Sequence, residues 1–583
     1  LQIGRQNRPA LYDFFADPIP PLVPAELRFE VNERIDHEGS VLAPLARQDV
    51  EEVVEKVLAW GVESVAVCLL YSFLHPLHEQ EIAAALRSGG LLVSLSSEIL
   101  PEFREYERMS TTAVNAYVSP ILNRYLWRLE DELPEGMDLR VMQSNGGNIS
   151  LDEARRFGVR CILSGPAGGV VGCDYIARLA SEPGSTPAAD SPLRLITFDM
   201  GGTSTDVSLI DGKPQVTTDT VVSGCPIRIP VLDIHTIGAG GGSIAYLDSG
   251  GALRVGPASA GANPGPACYG HGGDLPTVTD ANLVLGRLQP GHFLGGQMLL
   301  DERRARTVLA RLGSALGLDA VQAALGVIQV ANAHMERALR VISVERGHDP
   351  RRFNLLSFGG AGSLHAADLA RALGIPRVLV PPLASTLSAF GMLAADVVKD
   401  YTQTVMLPGD TPLAELSARL ELLARRGREE LLAEGVNESE LRLESFLDMR
   451  YRGQSYELIV PFSDSVIEDF HRIHETQYGY AINAGEVEVV NLRLQAIGRT
   501  LPPPLASHAL GDSDPSEALL ETRQVFFDDG PRRTPLYRAE ALKSGNRLEG
   551  PAVVVRLDTT ILICPDDSAL VDAFENLVIE VAI

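Results

Sequence analysis

The chain has 583 residues, too many for a single hydrophobic core, and this length predicts about three or four domains. Apolar residues make up 45% and charged residues 22%, the balance of a globular protein. The formal net charge of −26 argues against nucleic acid as the main partner, because no large cationic surface is on offer, and no apolar run is long enough to span a bilayer.

The six cysteines, Cys68, Cys161, Cys173, Cys225, Cys268 and Cys564, are widely scattered. Several sit in apolar runs and no Cys-x-x-Cys occurs, so they read as reduced, mostly buried thiols of a cytoplasmic protein. The opening Leu1-Gln-Ile-Gly-Arg5 is neither a methionine start nor a signal peptide, and reads as that of a fragment or a processed product.

Residues 1–48 are Pro-rich, with one extended candidate at 27–31. Val50, Val53, Val54, Val57 and Leu58 mark one face of a helix over 49–60, stopped by Gly61. A buried strand at 65–70, a helix at 78–87 and a strand at 91–95 follow, an alternation that predicts an α/β layer with a mostly parallel sheet. Residues 98–108 are charged and read as exposed, and 110–133 as a long helix interrupted at Pro120. A strand at 139–142 leads into Ser144, Asn145, Gly146 and Gly147. This turn fits either a ligand-facing loop at a strand's C-terminal end or an ordinary Asn-Gly turn. Ser164 and Gly165 open a small-residue helix, which fits an anion site at a helix N-terminus or close packing against a sheet. Residues 181–192 read as a surface linker.

The most informative stretch is 193–212. An apolar run ends in Asp199, and Met200, Gly201, Gly202, Thr203, Ser204, Thr205 and Asp206 follow. A second apolar run then ends in Asp211-Gly212, a strong turn signal. The pattern predicts a β-hairpin with a polar tip. Its chemistry suits phosphate: Gly201 and Gly202 let backbone approach an anion, and the N–H groups and the hydroxyls of Thr203, Ser204 and Thr205 can donate to it. Asp199 and Asp206 would then act through Mg²⁺ or a polarised water. The glycines join two strands, unlike a Walker loop or a dinucleotide fingerprint, which lead into a helix. Downstream lie Asp233 and His235, the Gly-rich run 238–243, and a Gly/Pro-rich loop over 256–273 that holds Cys268. Helices are expected at 301–312 and 320–346. A strand at 353–358 ends in Gly359-Gly360 and leads into a helix, and a small-residue helix is expected at 385–395. Beyond 410 come a helix at 412–433, alternating β segments at 447–451, 456–461, 487–498, 521–527, 534–539, 550–555, 560–563 and 577–581, and a helix at 466–478.

Several of these segments together resemble the hydantoinase A / 5-oxoprolinase (N-methylhydantoinase A) family, which also includes subunits of acetone- and acetophenone-carboxylase-type enzymes. They are Glu102-Phe-Arg-Glu-Tyr-Glu107, Gln143-Ser-Asn-Gly-Gly147, Ser164-Gly-Pro-Ala-Gly-Gly-Val-Val-Gly172, Asp199-Met-Gly-Gly-Thr-Ser-Thr-Asp206, the run from Asp233 to Ala245, the run from Ser259 to Gly270, Thr279-Asp-Ala-Asn282 and Phe358-Gly-Gly-Ala-Gly362. The resemblance implies an α/β fold with a two-lobed actin-like (ribonuclease H-like) ATPase core. Residues 1–160 would be the remainder of an N-terminal lobe, 161–405 the hydantoinase A/oxoprolinase domain, and 406–583 a β-rich C-terminal domain. The family's first phosphate hairpin is expected ahead of Leu1, which leaves the N-terminal lobe truncated. Gly359 and Gly360 would form the adenosine-side turn.

The implied activity is ATP-dependent opening of a cyclic amide, a hydantoin or 5-oxoproline, through a phosphorylated amide. ATP and Mg²⁺ would be the cofactors and a hydantoinase B-type subunit the partner, in a homo- or hetero-oligomer. The ATP-using subunit of a ketone carboxylase and a nucleotide-gated scaffold without turnover are the rival readings. In these terms Asp199, Asp206 and Thr203 are the catalytic candidates, and Gly201, Gly202, Ser204, Thr205, Gly359, Gly360, Ser164 and Gly165 hold the nucleotide. Ser144, Asn145, Gly146 and Gly147 form a substrate loop. Asp233, His235 and Cys268 are candidate ligands for Zn²⁺ or another divalent ion, set against a plain His–Asp hydrogen bond and a buried thiol. His271 and Asp280 are further candidates, and His365 reads as a packing residue.

Overall fold

A computed structural model describes residues 4–5, 12–13, 15, 20–134, 136–180, 193–222, 224–482 and 485–583; the expected linker 181–192 lies outside the described residues. Two compact units form. One is Leu1–Ser164 with Val216–Leu232 and Ala395–Leu501; the other is Gly165–Gln215 with Asp233–Ala394 and Pro502–Ile583. The stretch expected as one β-rich C-terminal domain, 406–583, is therefore divided at Leu501.

In the first unit the helices Arg47–Ala59 and Leu77–Ser88 pack on the parallel strands Ser64–Val67 and Leu92–Leu95. Val57, Val67, Ile82, Leu86 and Leu95 form the core, whereas Leu58 faces solvent. No strand forms at 27–31; the short strands are Arg34–Ile35 and Val41–Ala43. The expected break at Pro120 does not occur, and Glu105–Glu132 runs as one helix. Proline removes the N–H that would bond the carbonyl four residues back. That carbonyl, on Ala116, instead accepts the Ser64 hydroxyl at 2.6 Å.

A six-stranded sheet completes this unit, in the order Leu458–Pro461, Leu441–Tyr451, Val487–Gly498, Val397–Pro408, Asn148–Ser150 and Arg140–Met142. Helices Leu413–Ala433 and Val466–Tyr478 cover it through Leu416, Leu420 and Phe470.

Residues 98–108 are not the exposed charged run their composition suggests. Glu102 is 2% exposed and accepts from Arg228 Nε at 2.8 Å and from Arg493 Nη2 at 2.9 Å. Arg493 also donates to Asp448 at 2.6 Å, and Arg228 to Glu457 at 3.1 Å. Burial of these charges is tolerable because each has partners of opposite sign. The network draws on all three stretches of the unit.

The second unit is organised on a mixed sheet. From one edge run Ile234–Ile237, Thr205–Asp211, Arg194–Met200, Asn354–Phe358, Arg377–Val380, Leu577–Glu580, Ser568–Val571 and Arg547–Glu549. Among the described residues its parallel pairings are Asn354–Phe358 with Arg194–Met200 and with Arg377–Val380; its other neighbours pair antiparallel. Leu195, Ile196 and Phe198 are all buried, as expected for a strand covered on both faces. Left unpaired, Arg377–Val380 would be an edge; Leu577–Glu580 pairs with it antiparallel and satisfies its backbone groups. The last strands thus belong to the sheet that carries the hairpin, not to a separate β module. A four-stranded sheet, Leu519–Phe527, Gly530–Arg538, Ala552–Val555 and Thr560–Ile563, lies in the same unit. Helix Ala320–Ile342 opens with a capping box between Asp319 and Gln322.

Among the described residues no single helix is long and apolar enough to cross a membrane, and all six cysteines are thiols.

Removing one partner of a buried ion network leaves the others uncompensated. Glu102→Ala is expected to destabilise the protein by about 3–5 kcal/mol, measured by urea unfolding. A loss below about 1 kcal/mol would show that the two arginines find other partners.

Candidate nucleotide-phosphate site

Arg194–Met200 and Thr205–Asp211 pair antiparallel from Arg194 opposite Asp211 to Met200 opposite Thr205. The Gly201 N–H donates to Ser204 O at 3.1 Å and closes the turn. Residues directly opposite in paired strands share a face. Register therefore sets Phe358, Asp199, Asp206 and Thr236 in one row across four strands. Behind the acidic pair, Thr197 and Ser208 share a buried hydrogen bond of 2.7 Å.

The tip is braced by a second glycine run. Gly241 N–H donates to Gly201 O at 3.0 Å and Gly242 N–H to Gly202 O at 2.7 Å. A Cβ on Gly240 would lie 2.6 Å from Thr203 N, so only glycine permits this approach. Asn354–Phe358 runs into Gly359, at φ +78°, whose N–H donates to Ala384 O at 2.9 Å. A Cβ there would overlap the Asp199 carboxylate and lie 2.5 Å from Met200 O. The glycine turn and the first aspartate are thus mutually fitted. Helix Ser164–Ala180 packs alongside: Gly169 faces the Phe358 ring, and Gly168 and Gly172 face Ser388 O and Leu387 O of helix Leu387–Ala394.

Burial, and secondarily the Asp206 charge, push the Asp199 carboxyl up to about 7. Asp206 is also raised by burial, but the Thr236 hydroxyl donates to its Oδ1 at 2.5 Å and acts in the opposite direction. The two carboxyls therefore differ in character: one shares its proton near neutrality, and the other is held by a donor.

Of the residues singled out in the sequence, Asp199, Gly201, Gly202, Thr203, Ser204, Asp206 and Gly359 come together here, with Gly360 next in chain. Gly202 and Thr203 are exposed at the tip and Ser204 is half-buried. Thr205 is not available to a phosphate, because it is buried and its hydroxyl donates to Ala239 O at 2.6 Å. Ser164 and Gly165 begin their helix as expected, with Gly165 exposed.

The Ser144–Gly147 turn, in the other unit, is spent on its own packing. Ser144 Oγ is buried, donates to Arg160 O at 2.8 Å and accepts Leu163 N–H at 3.0 Å. Asn145 donates to Asp400 at 2.6 Å, Gly146 takes φ +90°, and Gly147 lies against Val398.

Asp233, His235 and Cys268 are not gathered into a metal centre; no group of three or more His, Cys, Asp or Glu among the described residues is arranged to hold an ion. Asp233 is ion-paired with Arg346, and His235 lies on a strand opposite Val207. Cys268 is buried, its N–H donates to Asp280 Oδ1 at 2.8 Å, and burial followed by the Asp280 charge drives its thiol upward. Asp280 itself forms the capping box of helix Val278–Val284. His365 is buried against Asn332 at 2.7 Å, pushed down to about 3 by burial and then by Arg287, and is a packing residue. His271 is exposed.

Mg²⁺ is a different matter, since it takes one or two carboxylates and fills its remaining positions with water and phosphate. The opposed Asp199 and Asp206 fit that requirement.

Sequence reasoning passed over Thr236, the bracing role of Gly240–Gly242, and Cys173, a buried thiol close enough to Asp199 to be raised by its charge after burial itself. The glycine run was visible. The contact of Thr236 with Asp206 follows from strand register, which has no local signal.

Fold and site define a mixed α/β protein with a braced, phosphate-type hairpin. Profile matches identify its kin: Hydantoinase/oxoprolinase over residues 108–401, the corresponding N-terminal region over 1–90, and the C-terminal domain over 411–580. The chain belongs to the hydantoinase/oxoprolinase family. It is 35% identical to caprolactamase subunit alpha of Pseudomonas jessenii, over 97% of this chain and 83% of that one. It is 34% identical to 5-oxoprolinase 1 of Arabidopsis thaliana over its whole length, but spans only 48% of that longer protein. The crystal structure of the ATP-dependent caprolactamase superposes with a TM-score of 0.88 at 34% identity, covering 99% of this chain and 86% of that one. An acetone carboxylase structure superposes with 0.76 at 27% identity, covering 97% and 82%.

The raised Asp199 carboxyl has a stability consequence. Between its ordinary value and about 7 the folded state holds a proton that the unfolded state has lost, so this group costs stability as pH rises through that window. Asp199→Asn cannot ionise. Without nucleotide or metal, the variant is expected to match the parent in thermal melts near about pH 4 and to melt progressively higher than it up to about pH 8. A difference independent of pH would contradict the burial of that charge.

Proposed function

We propose that this chain is the nucleotide-handling subunit of an ATP-dependent enzyme that opens a cyclic amide, in a two-lobed actin-like ATPase core. The observation that carries the reading is the likeness to the ATP-dependent caprolactamase along nearly the whole chain.

A ring amide resists water because its carbonyl is poorly electrophilic and its nitrogen leaves badly. In the proposed reaction the amide oxygen attacks the γ-phosphorus of ATP and ADP departs. Water then adds to the activated carbon, the nitrogen takes up a proton and leaves so that the ring opens, and a second water cleaves the resulting acyl phosphate to carboxylate and phosphate. Phosphoryl transfer asks the protein chiefly for positioning and charge neutralisation. The Gly202 and Thr203 N–H groups and the Thr203 and Ser204 hydroxyls would donate to phosphate oxygens. The first helical turn at Ser164 and Gly165 offers further donors. Gly359 and Gly360 would let backbone lie against the nucleoside. Asp206, held by Thr236, would orient a water, and Asp199 would take its proton. Mg²⁺, carried with the nucleotide and held by Asp199 and Asp206, would neutralise phosphate charge. A hydantoinase B-type subunit is the proposed partner, in keeping with the subunit name of the caprolactamase relative.

The acetone carboxylase likeness supports one rival, an ATP-using carboxylase subunit. Phosphate release separates the two. The chain, co-expressed with its partner subunit, is expected to release phosphate on addition of a lactam, 5-oxoproline or a hydantoin. Release only with a ketone plus bicarbonate would favour the carboxylase. Asp199→Asn is expected to lower turnover at least about a hundredfold; full activity in that variant would remove the hairpin from the mechanism.

A further inference from the structure

We propose that Thr236 is a positioning residue for the hairpin's acidic pair: its hydroxyl anchors one oxygen of Asp206 and so fixes the direction of the other. This inference rests on the reading of the hairpin as the ATP site. Thr236 lies on Ile234–Ile237, the strand that closes the sheet beside the hairpin, directly opposite Asp206. Its side chain is exposed, so water was available to its hydroxyl. It donates instead to Asp206 Oδ1 at 2.5 Å. The other hydroxyls nearby are different. Thr197, Ser208 and Thr205 are buried and bond within the protein interior, where an unmet hydroxyl would be costly. Burial explains their bonds but not that of Thr236.

The geometry also separates the two aspartates. Asp199 and Asp206 face each other across adjacent strands, and among the described residues only Asp206 receives a side-chain hydroxyl. A β-branched residue has few χ1 choices on a strand, so threonine presents its oxygen from a nearly fixed place. Thr236 touches neither nucleotide nor reacting water in this scheme. It acts through Asp206, and its removal should affect the reaction more than the binding of ATP.

The test uses the full chain with its co-expressed partner and compares Thr236→Val, which keeps the shape and loses the hydroxyl, with Thr236→Ser, which keeps the hydroxyl. Thr236→Val is expected to lower kcat for ATP turnover roughly ten- to a hundredfold while the equilibrium affinity for ATP stays within about threefold. Thr236→Ser is expected to stay within about threefold of the parent in kcat. Thermal melts are expected to show Thr236→Ser matching the parent and Thr236→Val folded but melting a few degrees lower, having lost a hydrogen bond to a carboxylate. A Thr236→Val enzyme that turns over like the parent overturns the proposal. So does a Thr236→Ser enzyme that falls as far as the valine variant, because then the hydroxyl is not what matters. Asp199→Asn in the same assay guards the underlying reading: if it is fully active, the site assignment fails and not merely the role of Thr236.

Discussion

Two carboxylates directly opposite each other on neighbouring strands are the constraint around which the hairpin unit is built. Like charges in that position destabilise a sheet, and partial burial makes the repulsion worse. Among the described residues no basic side chain is paired with either carboxylate. Asp199 holds a proton up to about pH 7, and Asp206 is tied to Thr236. The Thr197–Ser208 pair behind them gives the same two strands a neutral cross-link. Such an arrangement has a stability cost and is expected where it serves chemistry, because a sheet under no other demand would place apolar or paired residues there.

Glycine makes the acidic pair reachable. The braces at Gly240–Gly242 and the turn at Gly359 approach the hairpin so closely that a Cβ at Gly240 or Gly359 would collide with backbone or with Asp199. The tip is thereby braced through its backbone, and Gly202 and Thr203 remain exposed. Helices Ser164–Ala180 and Leu387–Ala394 use the same device: Gly168 and Gly172 against backbone carbonyls bring the two helices together where larger residues would hold them apart. The Gly-rich motifs that carry the family resemblance are therefore of more than one kind. Some open a site, and others let elements pack.

Much of this was legible along the chain. The hairpin from Arg194 to Asp211 announces itself by two apolar runs about a Gly-Gly turn and an Asp-Gly end, and Val487–Gly498 and Val466–Tyr478 fall where their periodicities place them. What escaped was set by partners distant in sequence. Nothing local says that Leu577–Glu580 completes the sheet of Arg194–Met200, or that Glu102 is buried because Arg228 and Arg493 reach it. A charged run reads as exposed until its counter-charges are known. The Asp233, His235 and Cys268 set failed for the converse reason. Ligand-type residues in neighbouring loops share composition, but Asp233 had an arginine and Cys268 an aspartate-organised loop to go to. The Ser144–Gly147 turn shows the same ambiguity: its Asn-Gly pair could serve a ligand or a fold, and its hydrogen bonds stay within its own unit.

The net charge of −26 sharpens the electrostatic problem of holding a triphosphate. A protein this acidic repels ATP at long range, though salt limits that field to about 8–10 Å. Attraction must then be local, and no lysine or arginine stands in the tip sequence from Gly201 to Thr205. Backbone N–H groups and hydroxyls supply partial positive charge at contact distance. On the proposed reading, Asp199 eases the approach as well. Near neutral pH much of it is protonated, so the hairpin meets the incoming phosphate with less than its full negative charge. As the divalent ion arrives with the nucleotide, the same carboxyl can give up its proton and become a ligand or a base. A carboxyl already ionised would oppose binding, whereas one that could not ionise would be useless afterwards. Burial beside a second aspartate gives Asp199 a value between those extremes.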